Sequence, residues 1–340
     1  MKIVVYGPNK RTGVLRGEAI TDISGAYAKF LREKEGNANA YVVADALAPS
    51  DLGRLIEGGQ RALDNIDTAL DHLAGSGGAG LRGEPLVFNA GEVTLHAPRA
   101  NNARVACAGG NFAQHAEAMA QRRVERGEAS PFTEGSARDY VRNRGFWGFW
   151  KVDRESGGHE SDIIYPARCT RLDYEGEVAI VFGKQGKNIK PADINDYIWG
   201  VTLLSDWSIR MSPEGGPMKF AMQKNFDTSC TIGPCIVVGE LDAMDVDIET
   251  LVNGDQRQKF NSGDMAFSYG EYAEYLSRDF TFYPGDILSG GTGAGTAADS
   301  SPTMEDGMPA PERFLKPGDV VEVVAPAIGT LRNRIVEPDS

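Results

Sequence analysis

The sequence predicts an α+β, β-rich fold dominated by mixed or antiparallel sheet, on two observations. From Ala103 onward the chain is a succession of short apolar segments divided by Gly and Pro, with two helical stretches among them. Before Pro98, two short strand patterns accompany amphipathic helical ones, and Gly75-Ser-Gly-Gly-Ala-Gly80 begins a flexible join. A small N-terminal α+β domain over residues 1–98 and a larger domain over 99–340 are therefore expected.

In order along the chain, Lys2 to Tyr6 and Gly17 to Asp22 read as strands. Ser50 to Leu73 reads as the clearest N-terminal helix: Asp51 can cap it, and Leu52, Leu55, Ile56, Leu63, Ile66 and Leu70 form an apolar stripe. Strand-like segments follow at Pro85 to Asn89 and Val93 to His96. The larger domain offers strands at Arg104 to Ala108, Glu177 to Phe182, Ile198 to Leu204, Cys235 to Val238, Asp286 to Leu288 and Val320 to Val324. Its helices are placed at Phe112 to Arg126 and Ser268 to Ser277. Between them, Glu128 to Glu160 has no sustained period and carries Phe146-Trp-Gly-Phe-Trp150, which suits a lid or long active-site loop over about residues 120–165.

Composition narrows the function. Forty-eight acidic residues against 35 basic ones leave a formal charge of −13, which disfavours nucleic acid as a partner. No apolar run approaches the ~20 residues of a membrane helix, and Met1 to Gly7 reads as a first strand, so no membrane association and a cytoplasmic location are expected. The four cysteines show no Cys-x-x-Cys spacing, which argues for reduced thiols and against zinc.

The most informative segment is Leu172-Asp-Tyr-Glu-Gly-Glu-Val-Ala-Ile-Val-Phe-Gly183. In a strand, Asp173, Glu175 and Glu177 share one face with Ala179 and Val181, so two or three carboxylates converge at the mouth of a buried face. A cation that prefers oxygen ligands, Mg²⁺, Mn²⁺ or Ca²⁺, relieves their repulsion; the alternative is a solvated strand end. Asp206 closes the strand Tyr197 to Asp206 and can complete the oxygen shell, or simply form a turn. Arg210 and Lys224 follow closely, as expected where a carboxylate-bearing substrate develops negative charge, although either alone reads as surface charge. His115 sits in the first turns of a helix after a glycine turn, with Asn111 as a candidate N-cap, and can act as a general base. Ser289-Gly-Gly-Thr-Gly-Ala-Gly-Thr296 lacks the Lys-Ser/Thr of a phosphate loop, and Ala297 to Pro302 is a poor helix start. A turn bringing backbone amides and Thr292 to a substrate carboxylate is the better reading.

Together these segments resemble the fumarylacetoacetate hydrolase family. The matching pieces are Asn111 to His115, Leu172 to Ala179 with Phe182-Gly-Lys184, Ser205-Asp-Trp-Ser-Ile-Arg210, Lys224-Asn-Phe-Asp-Thr228, Pro284 to Ser289 with Gly291-Thr292, and Leu315 to Val323 with Ile328 to Arg334. The resemblance implies a mixed β-roll or sandwich with a small N-terminal accessory domain, usually a homodimer. It implies Mg²⁺ or Mn²⁺ held by Glu175, Glu177 and Asp206. It also implies Lys224 stabilising an enolate, Arg210 and Thr292 holding substrate oxygens, and Lys151 as a substrate-binding lysine near the lid. The reaction implied is hydrolysis of a C–C bond in an acylpyruvate or fumarylacetoacetate-like 1,3-diketo acid, as in the breakdown of aromatic compounds, with His115 activating water.

Three positions depart from the family pattern. Ala118 stands where many members carry a Glu that pairs with the histidine, and Ala108 where others have an aspartate ligand. Gly293 replaces a Pro, and residues 297–313 form a longer insertion. The departures leave three readings: hydrolysis with a remote carboxylate as partner of His115; non-hydrolytic enolate chemistry on a 2-keto acid, by tautomerisation, isomerisation, decarboxylation or dehydration of a 2-keto-3-deoxy sugar acid; and a non-catalytic metal-binding protein.

Overall fold

The computed structural model describes residues 1–125, 127–130, 135–213, 219–305 and 307–338. Residues 126 and 131–134 of the expected lid and residue 306 of the insertion lie outside them. The chain opens with β1 (Lys2–Tyr6), β2 (Arg11–Arg16) and β3 (Ala19–Asp22), then α1 (Ile23–Glu35), α2 (Ala40–Leu47), α3 (Leu52–Glu57) and α4 (Gly59–Ser76), and β4 (Val87–Asn89) and β5 (Leu95–His96). It continues through β6 (Val105–Ala108), α5 (Ala113–Glu125), α6 (Ala137–Arg144), β7 (Gly148–Lys151), β8 (Asp162–Ile164), β9 (Arg171–Asp173), β10 (Gly176–Phe182), β11 (Ile198–Asp206) and β12 (Ser208–Met211). The last elements are α7 (Phe220–Gln223), β13 (Cys230–Val237), β14 (Asp247–Val252), β15 (Asp255–Asn261), α8 (Tyr269–Ser277), β16 (Ile287–Thr292), α9 (Ala297–Ser300), β17 (Val320–Ala325) and β18 (Gly329–Val336).

Among the described residues the main sheet runs β4-β3-β2-β1-β13-β11-β10-β16-β6-β7, with β5 also paired to β1; a second runs β15-β14-β17-β18-β8, and β9 pairs with β12. The pairing of β10 with β11 and β16 is antiparallel and that of β16 with β6 parallel, so the main sheet is mixed, as expected. β10 is buried at all seven positions, which is why its sequence is nearly continuous apolar after Glu177. Lys2 and Ile3 of β1 pair with Val237 and Ile236 of β13, so the main sheet runs unbroken across the expected 98/99 boundary. No helix among the described residues is long and apolar enough to cross a membrane, and all four cysteines are free and buried.

Local departures have local causes. The helix expected over residues 50–73 is two helices, α3 and α4, because Gly59 takes a left-handed φ of 54° between them. The strand expected from Gly17 begins at Ala19, since Gly17 (φ 60°) makes the β2–β3 turn. Within the expected lid, Gly148–Lys151 forms an edge strand: β6 offers open backbone groups, and Val105 to Ala108 pair with Lys151 back to Gly148. Strand register then defines the site. Glu177 at the start of β10 lies opposite Leu204 of β11 and Thr292 of β16, and Asp206 ends β11.

Candidate functional site

Glu175, Glu177 and Asp206 are buried, and one carboxylate oxygen from each lies within 4.8 Å of the others. Asp173 does not join them. Its strand, β9, pairs with β12 and ends there, and β10 begins in a different sheet at Gly176, so the alternation that would align the three acids is interrupted. The Asp173 carboxylate instead accepts bonds from the Ala297 and Ala298 amides at 2.7 and 3.1 Å and from Arg210 Nε at 2.8 Å.

Three cations surround the acids, of which Lys151 and Lys224 are buried and Arg210 is half-buried. Lys224 Nζ donates to Glu175 at 2.5 Å, to Asp206 at 2.6 Å and to the Ser208 hydroxyl at 2.7 Å. The Arg210 guanidinium bridges Asp173 and Glu175. Lys151, wholly buried at its side chain, pairs with Asp206 and donates to the carbonyls of Lys224 and Ser229 at 2.7 and 2.8 Å. The Phe149 ring closes this cluster, its centroid 5.0 Å from Lys224 Nζ.

Four carboxylates (Asp173, Glu175, Glu177, Asp206) against three cations leave one negative charge in excess. Two such charges ~4 Å apart repel by ~4 kcal/mol even at an effective dielectric of ~20, so the excess shows in the titration. Burial alone would raise Glu175, but Lys224 and Arg210 outweigh it and hold that carboxyl below its usual range. Burial, with Asp206 and Glu175 beside it, pushes Glu177 well above its usual range. Asp206 is also raised, by burial against the opposing pull of Lys151 and Lys224. An all-oxygen, buried, net-negative set of this size fits a divalent cation, which would leave the cluster with one positive charge suited to a keto-acid anion.

His115, in the first turn of α5 and 8% exposed, has its Nδ1 2.7 Å from Asp299 Oδ2. Asp299 is the carboxylate that Ala118 cannot supply. It lies on α9, a one-turn helix capped by Thr296, at a place where the sequence reads as a poor helix start. The Gly295 amide donates to both its oxygens, at 3.0 and 3.2 Å. No local pattern singles out Asp299, because its role exists only where α9 packs on α5. Asn111 does not cap α5. The helix starts at Ala113, and the Asn111 amide instead accepts from Phe267 N and donates to the carbonyls of Phe267 and Gly290.

In the glycine-rich stretch, the buried Thr292 hydroxyl donates to Gly176 O at 2.9 Å and accepts from Gln258 at 2.8 Å, which ties the ends of β10 and β16 together. The Gly295 amide serves Asp299. Gly293 stands where the family pattern has Pro because the Phe260 ring covers its α-carbon, and any Cβ would run into it.

Several known proteins share this arrangement of chain. The family model described as fumarylacetoacetate (FAA) hydrolase, C-terminal, matches residues 104–336. The oxaloacetate tautomerase YisK of Bacillus subtilis (strain 168) is 32% identical over 256 residues, 73% of this chain and 75% of that protein. The mitochondrial oxaloacetate tautomerase Fahd2a of Rattus norvegicus is 30% identical over 294 residues, 86% of this chain and 82% of that one. The structure of maleylpyruvate hydrolase from Sphingobium sp. SYK-6, in complex with manganese(II) and pyruvate, superposes with a TM-score of 0.68 at 20% identity and covers 100% of both chains, a likeness of fold. The ordered motifs, the fold and the match over most of the chain lead to one conclusion: this protein belongs to the fumarylacetoacetate hydrolase family.

Proposed function

We propose that this chain is a divalent-metal-dependent hydrolase that cleaves a C–C bond in an acylpyruvate-like 1,3-diketo acid of the kind formed when aromatic compounds are broken down. The observation that carries the reading is the His115–Asp299 pair beside the acidic triad. In this reading Glu175, Glu177 and Asp206 hold Mg²⁺ or Mn²⁺. The bound ion supplies Lewis acidity that polarises the keto-enol oxygens. Asp299 orients the His115 ring through Nδ1, so the other ring nitrogen is the acceptor that takes a proton from the attacking water. Lys224 provides the charge that stabilises the departing enolate. Arg210 acts by holding Asp173 and Glu175 in place. The chain would work as a homodimer on a small anionic substrate.

A second reading is keto–enol tautomerisation of oxaloacetate, favoured by the two relatives of that name over 73% and 86% of this chain. The same base and enolate-stabilising lysine serve it without a water nucleophile. An NMR time course of Mg²⁺- or Mn²⁺-loaded protein with acetylpyruvate, fumarylpyruvate, oxaloacetate and a 2-keto-3-deoxy sugar acid separates the two. Pyruvate plus a free acid is the outcome expected from hydrolysis. Accelerated enol–keto conversion of oxaloacetate, with the diketo acids intact, would replace hydrolysis by the second reading.

A further inference from the structure

The carboxylate of Asp173 is saturated with donors. Oδ1 accepts from the Tyr174 amide at 3.0 Å and the Ala297 amide at 2.7 Å, and Oδ2 accepts from the Ala298 amide at 3.1 Å and Arg210 Nε at 2.8 Å. Ala297 and Ala298 open α9, so two of these are amides that a helix cannot satisfy within itself. α9 has only four residues, too few to hold a helical turn unaided, so its shape comes from what it is bound to. The Tyr174 hydroxyl donates to Gly295 O at 3.1 Å, and with Asp173 it grips the chain over residues 295–298. The next residue is Asp299, whose buried carboxylate meets His115.

We infer that Asp173 is a positioning residue: by holding the first two amides of α9 it places Asp299 on Nδ1 of His115, and so sets which ring nitrogen of the histidine is free. This rests on the role proposed above for the His115–Asp299 pair, and it gives a task to the acid that does not join the triad. A neutral imidazole carries one proton, and the partner of one nitrogen decides the state of the other. With Asp299 in place the proton sits on Nδ1 and Nε2 accepts. With α9 displaced, the ring returns to the Nε2–H form that a histidine side chain favours in water, and Nε2 is no longer a base.

The test is the tautomer of His115, read from the ¹⁵N shifts of its ring nitrogens in Mg²⁺-loaded protein at a pH where the ring is neutral. Wild type is expected to show Nδ1–H. Asp173→Asn keeps the size of the side chain but turns an NH₂ group toward two of its donors, whichever way the amide faces. It should convert His115 to mainly Nε2–H, a change that a general loss of stability would not produce. Ala297→Pro deletes the amide that faces Asp173 Oδ1 without touching Arg210, at a first helical position where proline is tolerated. It should move the tautomer in the same direction and serves if Asp173→Asn does not fold. With whichever keto acid the protein converts, Asp173→Asn/Asp299→Asn should be no slower than Asp299→Asn alone, since both changes act through one contact. An unchanged Nδ1–H signal in a folded variant, or a double variant clearly slower than Asp299→Asn, overturns the inference and leaves the pair intact. Wild type in the Nε2–H form overturns both. The tautomer is read without substrate, so a failure of the hydrolysis assay leaves that result standing.

Discussion

The Nδ1 atom of His115 lies 2.7 Å from a carboxylate oxygen of Asp299, a residue 184 positions further along the chain. In the proposed reaction the pair fixes the orientation of the histidine ring and leaves its other nitrogen free to accept a proton, as a general base requires. His115→Ala should lower the turnover of a 1,3-diketo acid by ~10²–10⁴-fold, the usual range for such assistance. Asp299→Asn should lower it by ~10²-fold with KM little changed, and the double variant should be no worse than His115→Ala alone. Steady-state kinetics decide this; Asp299→Asn at the wild-type rate would remove Asp299 from the reaction.

Burial, with Asp206 and Glu175 beside it, holds the Glu177 carboxyl well above its usual range, and that carboxylate accepts from the Ser289 hydroxyl. Glu177→Ala should abolish Mn²⁺ binding and turnover together while the far-ultraviolet circular dichroism stays that of the wild type. A folded variant that retains near-normal turnover would sink the metal assignment.

Stability should depend on pH through Asp22. Its carboxylate accepts from Arg11 at 2.5 and 2.8 Å, from Tyr6 OH at 2.8 Å and, as the N-cap of α1, from Gly25 N at 2.7 Å. Burial alone would raise this carboxyl, but Arg11 outweighs burial and holds it below its usual range. A group lowered in the folded state adds stability above its unfolded pKa, ~3.9 for Asp, and loses it as pH falls through the folded value. Asp22→Asn keeps a capping side chain and removes only the charge. Urea unfolding should show the wild type ahead of the variant at pH 7, with the gap closing below about pH 4. A gap that persists unchanged to the lowest pH at which both fold would assign the effect to packing instead.

Gly293 should resist enlargement. A methyl group there meets the Phe260 ring, and overpacking of a tight core typically costs ~1–3 kcal/mol. Gly293→Ala should therefore unfold at lower temperature, and Gly293→Ala/Phe260→Leu should recover part of the loss. An unchanged melting temperature in the single variant would show that the ring moves aside freely.

What the sequence determined by itself is what neighbouring residues encode. The apolar runs of β10 and β11, the helices α5 and α8, and the placement of Glu177 and Asp206 at strand ends follow from period and punctuation, because burial of one's own face is a local property of an element. The tertiary structure decided the rest. Asp173 leaves the acidic set because the chain changes sheets between β9 and β10, which resets an alternation that a linear reading carries through. Lys151 faces Asp206 because Gly148–Lys151 finds the open edge of β6, and the N-terminal strands join the main sheet because β1 finds β13. Asp299 meets His115 only when α9 packs against α5. In each case the partner is chosen by contacts between segments far apart in sequence, where side-chain type limits what can pair but packing alone determines which pair forms.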